Sequence, residues 1–249
     1  MTFLDGAPPR IIAHRGLAID APENTLLAFL TALNAGATHL ETDVHASADG
    51  VAVISHDPDL TRIAGRDLRV EQLTMAELRR IPLEHGQSLP SLAEALDAFP
   101  DARFNIDIKD ERAAAPTAAA ILDARATDRV LLTSFSASRR AAAAAALPGV
   151  AVSPSVSEFV PALIGAKLGI RPLTARALRP FVAVQIPERR GPLRLVTPRT
   201  VRAIHGAGAE VHVWTVDDVA AMSRLLAVGV DGIVTNRCDL LSDLVHSRD

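Results

Sequence analysis

Chemistry-bearing side chains occur in short, closely spaced groups: His14-Arg15, Glu41-x-Asp43, His56-Asp57 and Asp107-x-Lys109. Glu41 and Asp43 stand two residues apart, as do Asp107 and Lys109, so on extended backbone each pair points to one face. Three buried carboxylates on one face call for a cation, because unpaired buried charge is costly. Three oxygen ligands without a thiolate suit a hard divalent ion. One Mg2+ or Ca2+ held by Glu41, Asp43 and Asp107 is therefore the expected cofactor. The competing arrangement is an ion network in which these carboxylates simply pair with Arg15 and Lys109.

His14 and His56 each close an apolar run and each precedes a charged residue. An imidazole, with an ordinary pKa of about 6.5, is the natural proton shuttle at neutral pH. Two histidines, a metal, a guanidinium and an ammonium suit an anionic, oxygen-rich substrate, and a phosphodiester fits best. Arg15 and the metal would neutralise the phosphoryl oxygens. One histidine would take a proton from the nucleophile and the other would protonate the leaving oxygen. Lysine occurs only at Lys109 and Lys167 in an arginine-rich chain, which points to a need for a compact ammonium at 109. His39, His45, His85, His205, His212 and His246 lack such a setting and read as surface or satisfied core residues.

Positioning these groups requires converging strand ends. Short β-branched runs alternate with Ala/Leu-rich helical segments, the pattern of βα units around a parallel sheet. Eight strands are expected: Arg10–Arg15, Thr38–Val44, Phe104–Lys109, Val130–Phe135, Val150–Ser155, Phe181–Pro187, Glu210–Val216 and Asp231–Asn236. Helices are expected between them, among them Asn24–Ala35, Ser91–Phe99, Ser157–Leu168 and Asp217–Val228. The 249 residues match a single (β/α)8 TIM barrel, whose catalytic residues gather at the carboxyl ends of the strands. An open dinucleotide-binding sheet is weaker, since the first βα turn has no G-x-G-x-x-G.

One unit departs from this rhythm. Asp49-Gly50 between two apolar runs predicts a tight hairpin after the second strand. A two-residue loop there pairs Ala48 with Val51 and sets Asp43 opposite His56. Residues 57–90 then form a polar, arginine-rich excursion with a helical stretch near Thr74–Arg80. It reads as a small lid-like insertion within one domain spanning 1–249.

Composition narrows the class further. The chain is 49% hydrophobic and 22% charged with a net charge of -3, so it should bury a core and lacks a basic field for nucleic acid. The lone Cys238 excludes an internal disulfide. The amino terminus lacks the basic start and apolar run of a secretory signal, and no apolar stretch is long enough to span a bilayer. A cytoplasmic protein without membrane insertion is expected.

In order and over nearly the full length, the chain resembles the glycerophosphodiester phosphodiesterases. The motifs are His14-Arg15-Gly16, Pro22-Glu23-Asn24-Thr25, Ala28-Phe29, Gly36-Ala37, Glu41-x-Asp43-Val44, Asp49-Gly50 and His56-Asp57. They continue with Leu89-Pro90-Ser91-Leu92-x-Glu94, Ile106-Asp107-Ile108-Lys109, Trp214-Thr215-Val216 and Gly229-Val230-Asp231-Gly232-Ile233-Val234-Thr235-Asn236. The resemblance implies a (β/α)8 barrel with a small inserted domain. It also implies metal-dependent hydrolysis of small glycerophosphodiesters to sn-glycerol 3-phosphate and an alcohol. Carried over by position, His14 and His56 are the acid/base pair, Glu41, Asp43 and Asp107 the metal ligands, and Arg15 and Lys109 the phosphate contacts. Trp214 is similar to the family's aromatic beside the glycerol, and Gln185, inward on the sixth strand, is a further substrate-contact candidate. Whether the proton-accepting histidine acts on water or on the glycerol 2-hydroxyl stays open, as do the metal, the head group and the oligomeric state.

The chain departs from the family pattern in three places. Asp107 stands where the family usually has glutamate, Cys238 where it usually has proline, and Thr61–Val70 is short and arginine-rich. Two other readings compete. A phospholipase D-like relative acting on lysophospholipids or sphingomyelin should show an exposed apolar loop or amphipathic helix, and none is evident. A non-catalytic phosphodiester-binding barrel should lack a histidine or a metal ligand, and all are present.

Overall fold

The computed structural model describes residues 2–247, which form eleven strands. They are β1 (Arg10–His14), β2 (His39–Ala46), β3 (Ala52–Ile54), β4 (Arg103–Ile108), β5 (Val130–Thr133) and β6 (Ala151–Val152), followed by β7 (Ala183–Pro187), β8 (Arg189–Arg190), β9 (Leu193–Arg194), β10 (Glu210–Trp214) and β11 (Gly232–Thr235). Eight of them run parallel in the order β6-β5-β4-β2-β1-β11-β10-β7. The outer two meet where the Val182 N–H donates to the Val152 carbonyl, giving a nearly closed barrel. All eight predicted barrel strands are present.

Register makes the layers of the site. His14 pairs with Glu41, Glu41 with Asn105, and Asp43 with Asp107. Glu41 and Asn105 thus lie one layer below Asp43 and Asp107, all facing the barrel mouth. The surrounding helices start on local signals. Thr25 caps Leu26–Asn34 through the Ala28 N–H, and Ser91 and Glu94 form a capping box on Leu92–Ala98. Gly16 follows β1 at φ +83°, and a Cβ there would lie 2.7 Å from the Ala28 backbone, so only glycine lets this helix close on the strand end.

The hairpin differs from expectation by one residue. β2 and β3 pair antiparallel with Val44 opposite Ile54 and Ala46 opposite Ala52. The Ser55 N–H consequently donates to the Asp43 carbonyl, and His56 is not the residue opposite Asp43. The loop is a β-turn over Ser47–Gly50, closed by the Gly50 N–H on the Ser47 carbonyl, with Gly50 alone left-handed at φ +78°. Asp49 stays out of the left-handed region and its carboxylate accepts from Ser47 Oγ and the Met75 N–H. A three-residue loop therefore replaces the two-residue one.

The excursion holds short helices at Thr61–Ala64 and Met75–Leu78, the latter inside the predicted 74–80 stretch. Leu60, Val70, Met75, Leu78, Leu83 and Leu89 bury a second apolar cluster beneath it, with Val53 of the hairpin. The β8–β9 hairpin and the helices Arg171–Leu178 and Cys238–His246 were not anticipated. The two-residue strands of that hairpin are too short to show a period.

Among the described residues no helix is long and apolar enough to cross a membrane. The helix Val156–Leu168 nevertheless exposes Val156, Val160, Ile164 and Leu168 at four-residue steps, contrary to the expectation of no apolar face. Its sequence is apolar on several sides, with Phe159, Ala162 and Ala166 buried, so periodicity hides which side faces out.

The barrel floor is plugged from the amino terminus. Phe3 stacks edge-on against His39 at 4.7 Å, and the His39 Nε2–H donates to the Phe3 carbonyl at 2.8 Å. Burial, with smaller contributions from His212 and nearby arginines, pushes His39 down to about 3, overcoming the opposing bond to Phe3. Between that value and its unfolded value of about 6.5, the unfolded chain binds a proton the native state refuses. Stability is present above that window and lost as pH falls through it. From pH 7 to 4.5 the native chain is expected to lose roughly 2 to 3 kcal/mol more than a His39→Gln variant in urea unfolding. Parallel profiles for the two proteins would sink the assignment.

Candidate active site

The mouth is built around the β1 strand end. Arg15 adopts φ 57° and Asn24 φ 58°, unfavourable for side-chain-bearing residues. Local bonds hold both. The Arg15 N–H donates to the Glu41 carbonyl at 3.0 Å and approaches Glu41 Oε2 at 3.1 Å, and the Asn24 N–H donates to the Arg15 carbonyl. Asn24 Nδ2 donates to Asp43 Oδ2, while its Oδ1 accepts from the Thr42 hydroxyl.

Glu41, Asp43 and Asp107 are all buried. Lys109 Nζ lies 2.8 Å from Asp43 Oδ1 and 2.6 Å from Asp107 Oδ2. Arg15 Nε lies 3.2 Å from Asp43 Oδ2, off the hydrogen-bond direction, and Arg15 Nη1 donates to Glu23 at 3.0 Å. Burial raises Asp43, but Lys109 and Arg15 more than offset it and hold its carboxyl below the usual range. Glu41 is pushed well above that range, by burial first and then by Asp43 and Asp107. Asp107 is raised as well, chiefly by burial. The Lys109 ammonium is held charged by the two aspartates despite its burial.

Two features of this donor set would suit a divalent cation. Asp107 Oδ1 is buried with no partner, and Glu41 carries the strain of two neighbouring acids. In the arrangement present, Lys109 joins Asp43 and Asp107 and the ion network dominates. No three His, Cys, Asp or Glu side chains among the described residues gather about one point.

The two histidines have fixed tautomers. Asn236 Nδ2 donates to Asp217 Oδ2 at 2.8 Å, which turns Asn236 Oδ1 toward His14 Nδ1 at 2.7 Å. Asp217 also accepts from the Thr235 hydroxyl and the Asn236 N–H. His14 therefore carries its proton on Nδ1 and leaves Nε2 as a free lone pair. Burial lowers its pKa, against the opposing Asn236 bond, and keeps it neutral. His56 Nδ1 donates to Asp57 Oδ1 at 2.8 Å, and Arg62 Nε anchors the other Asp57 oxygen at 2.6 Å. The His14 ring also feels the charge of Asp43, a smaller and opposing influence.

Trp214 stands on the same rim, edge-on to Phe135 at 6.0 Å, and Phe135 lies 6.0 Å from Lys109 Nζ. Gln185 lies deeper. Its amide is engaged by Asn105 at 3.3 Å and His212 at 3.4 Å, below the layer of Asp43 and Asp107. His45, expected to be a bystander, stands in the wall of a cavity of about 390 Å³ beside His56, Lys109, Asp110, Arg69 and Glu71. Its nitrogens face Asp110 Oδ2 and the His56 carbonyl, both at 3.1 Å, so it braces the His56 backbone. Its place two residues beyond Asp43 on β2 could have revealed it, since strand side chains repeat with period two.

A sequence profile described as the Glycerophosphoryl diester phosphodiesterase family matches residues 14–240. The chain belongs to that family. As a member it is a glycerophosphodiester phosphodiesterase, and the family's matched span contains every candidate site residue. "Probable glycerophosphodiester phosphodiesterase 2" of Mycobacterium tuberculosis is 42% identical over 239 residues, covering 95% of this chain and 90% of that protein. The crystal structure of a glycerophosphodiester phosphodiesterase from Agrobacterium tumefaciens superposes with a TM-score of 0.76 at 26% identity, covering 94% of this chain and 98% of that one. An Oleispira antarctica phosphodiesterase, solved in complex with the product sn-glycerol-3-phosphate, shares the fold with a TM-score of 0.78 at 23% identity, covering 96% and 97%.

Proposed function

We propose that this family member cleaves small glycerophosphodiesters to sn-glycerol 3-phosphate and an alcohol, with His14 as base and His56 as acid. The observation that carries this reading is the pair of imidazoles with opposite supports at one charged mouth. His14 is buried, neutral and tied through Nδ1 to an amide, so Nε2 accepts the proton of the attacking oxygen. That oxygen belongs to water or to the substrate's own 2-hydroxyl; in the second case water must then open the cyclic phosphodiester. As the new P–O bond forms, the bond to the alcohol breaks. His56, whose Nδ1–H is held by the Asp57 carboxylate, acts as the doubly protonated imidazolium and delivers its Nε2 proton to the departing oxygen. Arg15 and Lys109 supply positive charge toward the phosphoryl oxygens.

Glu41, Asp43 and Asp107 would hold one divalent cation, Mg2+ or Ca2+. The unpartnered Asp107 oxygen and the crowded Glu41 support this. When bound, the ion supplies Lewis-acid charge to the phosphoryl group.

The test is release of glycerol 3-phosphate from glycerophosphocholine, glycerophosphoethanolamine and glycerophosphoinositol, with Mg2+, Ca2+ or a chelator. Release is expected with one or both metals. Folded protein that releases none from any of these substrates would overturn the reading.

A further inference from the structure

The cavity beside His56 has a wall whose chemistry selects a ligand. Lys109, Asp110 and His45 come from the end of β4 and from β2, while Arg69 and Glu71 come from the excursion, beside the β2–β3 hairpin. His56, the acid of the reading above, lines this cavity, and His14 does not. A departing alcohol must sit beside the acid that protonates it. On that reading, the cavity is where the alcohol goes.

Three classes of alcohol would demand different walls. An acyl-bearing group needs apolar lining, and Pro58 is the only purely hydrocarbon side chain here. A trimethylammonium needs aromatic faces or unpaired carboxylates. No Phe, Tyr or Trp lines the cavity, and Trp214 and Phe135 stand elsewhere on the rim. Each carboxylate already has a partner, which weakens its pull on a cation but leaves lone pairs that a neutral hydroxyl can use. Glu71 is paired with Arg69 at 2.8 Å and Arg112 at 3.5 Å, and Asp57 is bound by His56 and Arg62. Asp110 accepts from His45 and from the N–H groups of Ala46 and Ala113. An ammonium entering the cavity would meet Arg69 and Lys109. A hydroxyl differs from both, since it donates to a carboxylate and accepts from a guanidinium at once. The adjoining Arg69 and Glu71 offer that combination in one place.

We propose that this cavity is the leaving-alcohol subsite and that it takes a polyhydroxylated alcohol such as glycerol or inositol. The inference rests on the hydrolytic reading, and it assigns to the excursion the recognition of the alcohol.

The test compares kcat/KM for glycerophosphoinositol and glycerophosphoglycerol with that for glycerophosphocholine and lysophosphatidylcholine. The polyol esters are expected to be favoured at least about tenfold. Arg69→Ala and Glu71→Ala, both at half-exposed positions, are expected to reduce that ratio to within about threefold of unity. Equal rates, preference for either choline ester, or a ratio untouched by both variants would overturn the proposal. Binding of free myo-inositol, read by ligand-observed NMR, separates the two levels. If no ester is turned over, the hydrolytic reading falls, while inositol binding lost in Glu71→Ala still supports the subsite. No turnover and no binding would overturn both.

Discussion

His14→Ala and His56→Ala are each expected to lower turnover of natural glycerophosphodiesters by a factor of about 10² to 10⁴, with the fold intact by circular dichroism. The two should then part on a substrate with a good leaving group. A p-nitrophenyl ester needs no proton on its departing oxygen, so it should restore most of the loss in His56→Ala and little in His14→Ala. The assignment follows from what each ring leans on. His14 is held by a neutral amide and depressed by burial, His56 by a carboxylate at the cavity wall. The pH profile carries the same information. A base must be deprotonated to act, and the lowered pKa of His14 places the acid limb of kcat/KM below the ordinary histidine value of about 6.5. Rescue of His14→Ala instead would exchange the roles, and full activity in both variants would remove acid/base catalysis from these residues.

Chelation is expected to reduce turnover by at least about 10³, recovered on adding Mg2+ or Ca2+. Binding itself has a separate readout. A bound divalent ion should raise Tm with increasing concentration, because a ligand that binds only the native state stabilises it. Asp107→Ala should abolish that rise. It removes the buried carboxylate whose Oδ1 has no partner in the chain. The native protein presents an ion network at this point, Lys109 joining Asp43 and Asp107. Metal binding must therefore displace or share those contacts, and Lys109→Met should tighten apparent metal affinity. Activity that persists in chelator, with Tm insensitive to both ions, would leave the ion network as the whole story.

Part of this site is local and could be read from residues alone. Two-residue spacing puts Glu41 with Asp43 and Asp107 with Lys109 on common faces, because strand side chains alternate. Apolar runs that end in His14 and His56 announce strand ends, and Asp49-Gly50 announces a reversal. Such signals depend only on backbone geometry within a few residues, and the eight barrel strands follow from the same kind of evidence. The register of the hairpin does not. It turned on an Asp49 carboxylate captured by the Met75 N–H from outside the turn.

Sequence by itself determined the barrel, the strand ends and the identity of the chemical groups, since alternation, caps and turn preferences act over short range. Tertiary structure alone decided their states and surroundings. The tautomer of His14 is set by Asn236, which lies 222 residues away. The cavity wall joins His45 of β2 to Arg69 and Glu71 of the excursion, and the protonation of Glu41 depends on acids from two strands. Hydrogen bonding, burial and charge crowding operate through space, so no local pattern encodes them.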